Sequence, residues 1–200
     1  MVLNNELWRR RRTRVERSVV ERLSSALSGA VVVVTGPPGA GKSTVCRDLV
    51  TRADRGVLVD GDAYFGSIKT GWVAPWLPES SRQNETVIDA LGAAASRYAR
   101  GDYTVVVDGI IGPWFLDRFR IEVHSPLHYV IVRPSRSAAF ARAEQRPPQP
   151  GDNPEAVGKM YDEFEAVGVY ERCVVDNSMQ RADETVTAIV KGLEAATFRV

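Results

Sequence analysis

The sequence predicts an α/β fold, in which one parallel five-stranded sheet is flanked by helices. Five short apolar segments bounded by turn residues alternate with longer segments of helical periodicity. Strands that alternate with helices favour a parallel sheet joined by right-handed crossovers. The 200 residues, 44% hydrophobic and 26% charged, are enough for one domain with a sizeable core.

The elements follow in order along the chain. An amphipathic N-terminal helix over 3–28 is expected to pack on the main domain, which gives a division into 1–29 and 30–200. The predicted strands are 31–34, 57–60, 103–108, 127–132 and 172–176. The other predicted helices are 42–53, 81–100, a short one ending near 119, 135–144, 154–167 and 181–196.

The first predicted strand runs directly into a glycine-rich loop with P-loop spacing. Four consecutive valines precede Gly36, and Gly41-Lys42-Ser43 follows after four intervening residues. Glycines let backbone N–H groups approach an anion, and the following helix adds its positive end. Lys42 would reach the β- and γ-phosphates, and the Ser43 hydroxyl would bind Mg²⁺. The predicted ATP-binding residues of this loop are Gly36, Pro37, Pro38, Gly39, Ala40, Gly41, Lys42, Ser43 and Thr44.

Three aspartates follow the second and third strands. Asp60 and Asp62 end one strand and Asp108 ends the next, and the carboxyl ends of parallel strands meet at one edge of a sheet. Asp108 is in the Walker-B position, where a carboxylate holds Mg²⁺ with Ser43 and faces the acceptor. Gly109 stands where many ATP-hydrolysing motors have glutamate, which favours transfer to an organic acceptor. For Asp108 the alternative is an aspartate that caps a helix or shapes a turn, and for Asp60 and Asp62 the alternative is that both only shape the turn Asp60-Gly61-Asp62 at the end of the strand.

Transfer to an acceptor requires a carboxylate that receives the proton of the acceptor hydroxyl. Asp62 is the favoured candidate and Asp60 the second. On the donor side, Arg142 and Arg146 lie one helical turn apart before a proline-rich loop, as expected for a lid over about 142–156. An exposed arginine pair at a helix end is the alternative. Asn177, after the fifth strand, is the predicted contact for the adenine base.

Aromatic residues cluster in the segments after the second and third strands. Tyr64, Phe65, Trp72 and Trp76 follow the second strand, and Trp114 follows the third. Both segments would face the acceptor, which indicates an acceptor with an apolar or ring-shaped body. A small satellite core beneath a long loop is an equal alternative.

Composition restricts the partners. A net charge of +1 predicts no strong general attraction to nucleic acid or membranes. The run Arg9–Arg12 with Arg14 and Arg17 could bind nucleic acid, although interleaved glutamates favour the solvated face of a helix. Cys46 and Cys173 are expected to be reduced core residues. Since no apolar run approaches 18 residues and no apolar leader is seen, a cytoplasmic location is expected.

These motifs resemble those of the small P-loop kinases of the nucleotide-kinase-like group, over residues 30–195. Val59-Asp60-Gly61-Asp62 is similar to the post-strand aspartates of gluconate and adenylylsulfate kinases. The layout with Asp108 and an arginine-bearing lid also resembles chloramphenicol phosphotransferase and zeta-toxin-type kinases. The resemblance implies a P-loop three-layer sandwich with strand order 2-3-1-4-5, and an aspartate after the second strand as base.

The sequence therefore predicts an ATP- and Mg²⁺-dependent phosphotransferase that acts on a hydroxyl of a small, antibiotic-like or nucleoside-like molecule. In this interpretation Lys42 and Arg146 act with Asp62 or Asp60 during transfer. Two alternatives remain. A 5′-hydroxyl polynucleotide kinase would use the N-terminal arginines, and a nucleotide-switched regulatory ATPase would have no acceptor.

Overall fold

The computed structural model describes residues 26–145 and 154–200. Its sheet has five strands, all parallel, in the order β2-β3-β1-β4-β5. This confirms both the fold class and the predicted strand order. The strands are β1 Val31–Thr35, β2 Gly56–Asp60, β3 Thr104–Asp108, β4 Leu127–Val132 and β5 Val174–Val175.

Within the described ranges, six helices connect these strands and a further one follows β5. They are α1 Lys42–Val50, α2 Gly61–Phe65, α3 Ser81–Ala99, α4 Pro113–Glu122, α5 Arg136–Glu144, α6 Pro154–Glu163 and α7 Ala182–Glu194. Two 3₁₀ helices cover Pro78–Ser80 and Gly168–Cys173.

The three central strands are buried along their whole length. Every residue of β1, β3 and β4 is buried, because helices cover both faces of the sheet. The edge strand β2 differs, since Leu58 remains 37% exposed. Cys46 and Cys173 are buried and unpaired with each other, as predicted.

The chain after β4 departs most from the prediction. The expected strand 172–176 is only two residues long, because a 3₁₀ helix occupies the chain through Cys173. The expected helix 154–167 ends at Glu163. Just after this end, the Arg133 guanidinium donates to the Phe164 and Glu165 carbonyls, at 3.0 and 3.2 Å.

Some predictions fall outside the described residues. They are the N-terminal helix up to residue 25, the arginine run that it carries, and Arg146 with most of the expected lid.

Candidate active site

The loop between β1 and α1 is a cradle for an anion. Gly36, Gly39 and Gly41 have φ values of 142°, 79° and 86°, a region that disfavours residues with side chains. A Cβ at Gly36 would lie 2.0 Å from the Val132 carbonyl oxygen, and one at Gly39 would lie 2.1 Å from that of Ala139. The loop therefore packs directly on the end of β4 and on α5, which fixes the positions of its N–H groups.

The first turn of α1 points its N–H groups toward the anion cradle that the loop forms. The N-cap residue Gly41 has no side chain that could bond to these groups. The Lys42 ammonium donates to the Gly36 and Pro37 carbonyls, both at 3.0 Å, and so lies across the loop. Backbone dipoles and the lysine charge together favour a phosphate at this end of the helix.

Asp108 is buried beside α1. Burial raises the pKa of its carboxyl above the ordinary value, and a hydrogen bond from Ser43 and the positive charge of Lys42 partly oppose the rise. The Cys46 thiol lies one turn further along α1, and burial, together with the charge of the same carboxylate, raises the pKa of this thiol. The structure thus brings together the two residues predicted to bind the metal.

This arrangement fits Mg²⁺. A hydroxyl and a desolvated carboxylate are hard oxygen ligands, and a cation between them would favour the ionised form of Asp108. Within residues 26–145 and 154–200, no group of three or more His, Cys, Asp or Glu side chains is placed to hold a metal. Phosphate oxygens and water would therefore complete the coordination, as is usual for Mg²⁺.

Asp60 and Asp62 lie next to Asp108 but have different surroundings. Asp60 pairs with Asp108 across the β2–β3 ladder, and both Asp60 and Asp62 raise the pKa of Asp108 through their charge. The segment predicted as a turn is the start of α2. There the Asp60 carboxylate caps the helix by accepting a hydrogen bond from the Asp62 N–H at 3.0 Å. The Asp62 carboxylate is exposed and accepts no hydrogen bond from the described part of the chain.

The loop from Gly109 to Gly112 is fixed by two buried side chains. The Ile111 N–H donates to the Thr35 hydroxyl at 3.0 Å, and the Tyr129 hydroxyl donates to the Ile111 carbonyl at 2.7 Å. Burial raises the pKa of Tyr129, so its hydroxyl keeps the proton that it donates. Thr35 directly precedes the phosphate loop, and it therefore links that loop to the segment after β3.

The segment between α2 and α3 is ordered by two amide side chains of α3. Gln83 bonds to both backbone groups of Val73, accepting at 2.8 Å and donating at 2.7 Å. Asn84 donates to the Pro75 carbonyl at 2.7 Å. Trp72 and Trp76 nevertheless remain 46% and 38% exposed. These two indoles are thus presented to solvent by an ordered loop, and do not form a satellite core.

The other predicted acceptor residues divide between surface and core. Trp114 is 45% exposed and packs edge-on against Phe164, with ring centroids 5.3 Å apart. Tyr64 and Phe65 are half-buried against the main core. The exposed aromatic surface on this side therefore comes from the three tryptophans.

The predicted base-binding residues meet at the phosphate loop. The Arg142 guanidinium donates to the Asn177 and Ser178 carbonyls at 2.8 and 3.3 Å. The buried Asn177 amide donates to the Ala40 carbonyl at 3.0 Å, so its side chain braces the loop. Its Oδ1 atom is buried without a hydrogen-bond partner in the described structure.

Sequence reasoning did not identify Thr35, Tyr129, Gln83 and Asn84 as residues that order the site. Thr35 carried a usable signal, since it is the polar residue at the end of an otherwise apolar buried strand, whereas Tyr129 shares its strand with the polar His128. Separately, none of the described helices is long and apolar enough to cross a membrane.

The comparisons with known proteins agree with this geometry. A family model described as AAA domain matches residues 32–165, and the chain belongs to that family. A search of curated proteins finds no match.

Solved structures share the fold at low sequence identity. A sugar kinase from Janibacter sp. HTCC2649 has a TM-score of 0.65 and 16% identity, with 84% of this chain and 96% of that one covered. For a gluconokinase from Sinorhizobium meliloti 1021 the TM-score is 0.59, with 21% identity and coverage of 84% and 93%. The Deinococcus radiodurans tunicamycin resistance protein gives 0.59, 13% identity, and coverage of 84% and 94%. The chain therefore has the fold of the small P-loop kinases.

Proposed function

We propose that this member of the AAA domain family is an ATP- and Mg²⁺-dependent kinase that phosphorylates a hydroxyl of a small molecule. The observation that carries the proposal is the contact of Ser43 with the buried Asp108 beneath the phosphate loop, with Asp60 and Asp62 directly beside it. A phosphate cradle, a metal site and spare carboxylates are the parts that phosphoryl transfer to an alcohol requires.

The donor side would bind ATP through the loop N–H groups and Lys42. Mg²⁺ on Ser43 and Asp108 would neutralise part of the phosphate charge. Lys42 would exchange its bonds with the Gly36 and Pro37 carbonyls for the phosphate oxygens. Arg142 and Asn177 would flank the adenine base. Arg146 would add positive charge when the lid over 142–156 closes.

The acceptor side would bind its ligand between the segments after β2 and β3. Asp62 would orient the acceptor hydroxyl and receive its proton as the oxygen bonds to the γ-phosphorus. The bond from that phosphorus to the β–γ bridging oxygen breaks, and ADP leaves. Asp60 is less suited to the base role because it already caps α2. The exposed indoles of Trp72, Trp76 and Trp114 favour an acceptor with a ring-bearing body, such as an antibiotic or nucleoside.

The proposal is tested by a screen for transfer from γ-labelled ATP to sugars, nucleosides, antibiotics and 5′-hydroxyl oligonucleotides. With the acceptor found, Asp62→Asn should lower the transfer rate about 100-fold or more while ATP binding is retained. Asp60→Asn should lower it less, since asparagine also caps helices. Asp102→Asn is the matched control, because Asp102 is exposed and lies before β3, at the other end of the sheet.

Three results would contradict the proposal or its parts. Transfer that survives both Asp62→Asn and Asp60→Asn would remove the base assignment. ATP hydrolysis at full rate without any acceptor, unchanged in Asp62→Asn, would indicate a regulatory ATPase. Phosphorylation of oligonucleotides alone, with salt-sensitive binding lost on removal of residues 1–28, would indicate a polynucleotide kinase.

A further inference from the structure

A second concave site lies at the opposite end of the strands from the phosphate loop. It has a volume of about 390 Å³ and is formed by the end of α4, the start of β4 and residues 199–200. The phosphate loop follows the carboxyl end of β1, whereas this pocket lies where β4 begins. Its volume is at the lower end of the range for small-molecule sites. The lining residues are Arg120, Val123, His124, Ser125, Pro126, Leu127, Arg199 and Val200.

The pocket wall is cationic. Arg120, His124 and Arg199 contribute to it, and none of the lining side chains is acidic. Neither guanidinium has an ion-pair or hydrogen-bond partner among the residues described. Arg118, only two positions from Arg120, is by contrast engaged by Asp89 and Glu85 at 2.6 and 3.2 Å. Arg120 and Arg199 therefore retain their full capacity to bind an anion.

Hydrogen bonds anchor the backbone of the pocket at the start of β4 and at residues 199–200. The Val31 N–H donates to the Pro126 carbonyl at 2.8 Å, which ties the connection before β4 to β1. The Val200 N–H donates to the Leu127 carbonyl at 3.1 Å, and Arg172 donates to the Arg199 carbonyl at 2.8 Å. A fixed wall reduces the entropy lost when a ligand is bound.

We propose that this pocket binds a small anion with two or more negative charges, of the phosphate-ester class. Guanidinium groups form paired hydrogen bonds with phosphate oxygens, and the Ser125 hydroxyl adds a further polar group. The site is separate from the proposed kinase site, and the proposal stands independently of it.

The test uses the histidine signals of the full chain, with inorganic pyrophosphate as the probe. The sequence has only two histidines, so the exposed His124 and the buried His128 give separable imidazole NMR signals. The Gly41 amide reports binding at the phosphate loop in the same titration. We expect the His124 signal to shift and saturate, with an apparent affinity that differs from that at Gly41.

Arg120→Gln and Arg199→Gln should each weaken the His124 response about tenfold or more, and leave the Gly41 response unchanged. Arg97→Gln is the matched control, because Arg97 is an exposed arginine near the end of α3 that does not line the pocket. A His124 shift that does not saturate, or that is unchanged in both variants, would overturn the proposal. So would tighter binding of citrate than of pyrophosphate, or a response to oligonucleotide alone.

Discussion

The proposed donor and acceptor halves of the candidate site are built in different ways. The phosphate loop is positioned by backbone packing, with Gly36 and Gly39 pressed against carbonyls of β4 and α5. The segments after β2 and β3 are positioned by single side chains that bond to their backbone, such as Gln83 on Val73 and Thr35 on Ile111. A site built from backbone tolerates few substitutions, whereas one fixed by side chains can be reshaped one contact at a time.

The largest effect is expected from a pair of glycine substitutions, one in each half. Gly39→Ala should cost about 3 kcal/mol or more and abolish ATP binding, since the new Cβ meets a carbonyl oxygen in a left-handed backbone. Gly71→Ala is the matched change, because its φ of 72° is similar but nothing lies within 4 Å. We expect a cost of about 1 kcal/mol there. Urea denaturation measures the loss of stability in each variant, and ATP titration measures its affinity for ATP. Equal losses of stability in the two variants would contradict the contrast.

Thr35→Val tests the link between the two halves. The change preserves shape but leaves the buried Ile111 N–H without its acceptor, which should cost about 1–3 kcal/mol. Thr35→Ser keeps the hydroxyl and should recover most of that loss. Amide hydrogen exchange at Ile111 should accelerate in the valine variant only. If the valine and serine variants are equally stable, the link does not contribute.

Gln83→Ala should loosen the acceptor half while the donor half remains intact. Loss of two hydrogen bonds to Val73 should cost about 1–2 kcal/mol locally, so the backbone around the exposed Trp72 and Trp76 should open more often and be cut faster by chymotrypsin. The expected result is cleavage several-fold faster, with unchanged ATP affinity. Arg82→Ala, at the exposed neighbouring position, is the control. Cleavage at the same rate in both variants would show that the bonds between Gln83 and Val73 do not order this segment.

The smallest effect is expected from the ion pair between Arg133 and Glu171. Arg133 donates to both carboxylate oxygens of Glu171, at 3.0 and 2.9 Å, and holds the pKa of Glu171 below its ordinary value of 4.5. A lowered folded-state pKa stabilises the protein above the unfolded value, and this stability is lost as pH falls through the folded pKa. The melting temperature of Glu171→Gln should therefore approach that of the parent as pH falls through the lowered pKa of Glu171. A difference that is independent of pH would contradict this ion-pair effect.

The sequence predicted the fold and the glycine-rich loop after β1 well, because both depend on local patterns. Valine runs define the buried strands, and the glycine spacing defines the loop that follows β1. The acceptor half depends on contacts between distant residues. Thr35 and Ile111 are 76 positions apart, and no periodicity indicates that they bond. The short β5 also escaped prediction, because apolar Cys173 belongs to a 3₁₀ helix although its type and burial resemble those of a strand residue.

The aspartates show how a local rule can be correct and still incomplete. Asp60-Gly61-Asp62 was predicted as a turn at the end of a strand, and the strand does end at Asp60. A turn and a helix N-terminus use the same residue types, since aspartate caps both. The sequence therefore left the roles of Asp60 and Asp62 open. The structure separates them by their partners, since Asp60 bonds to the backbone of α2.

The pairing of Asp60 with Asp108 across the β2–β3 ladder has a consequence for the evolution of specificity. Neighbouring strands are about 4.8 Å apart in any sheet, so the ladder sets the spacing between these two chain positions. Substitutions that remodel the loops around Trp72, Trp76 and Trp114 leave that spacing unchanged. A lineage with this architecture can thus remodel its surface loops by drift, while the geometry inherited with the sheet is preserved.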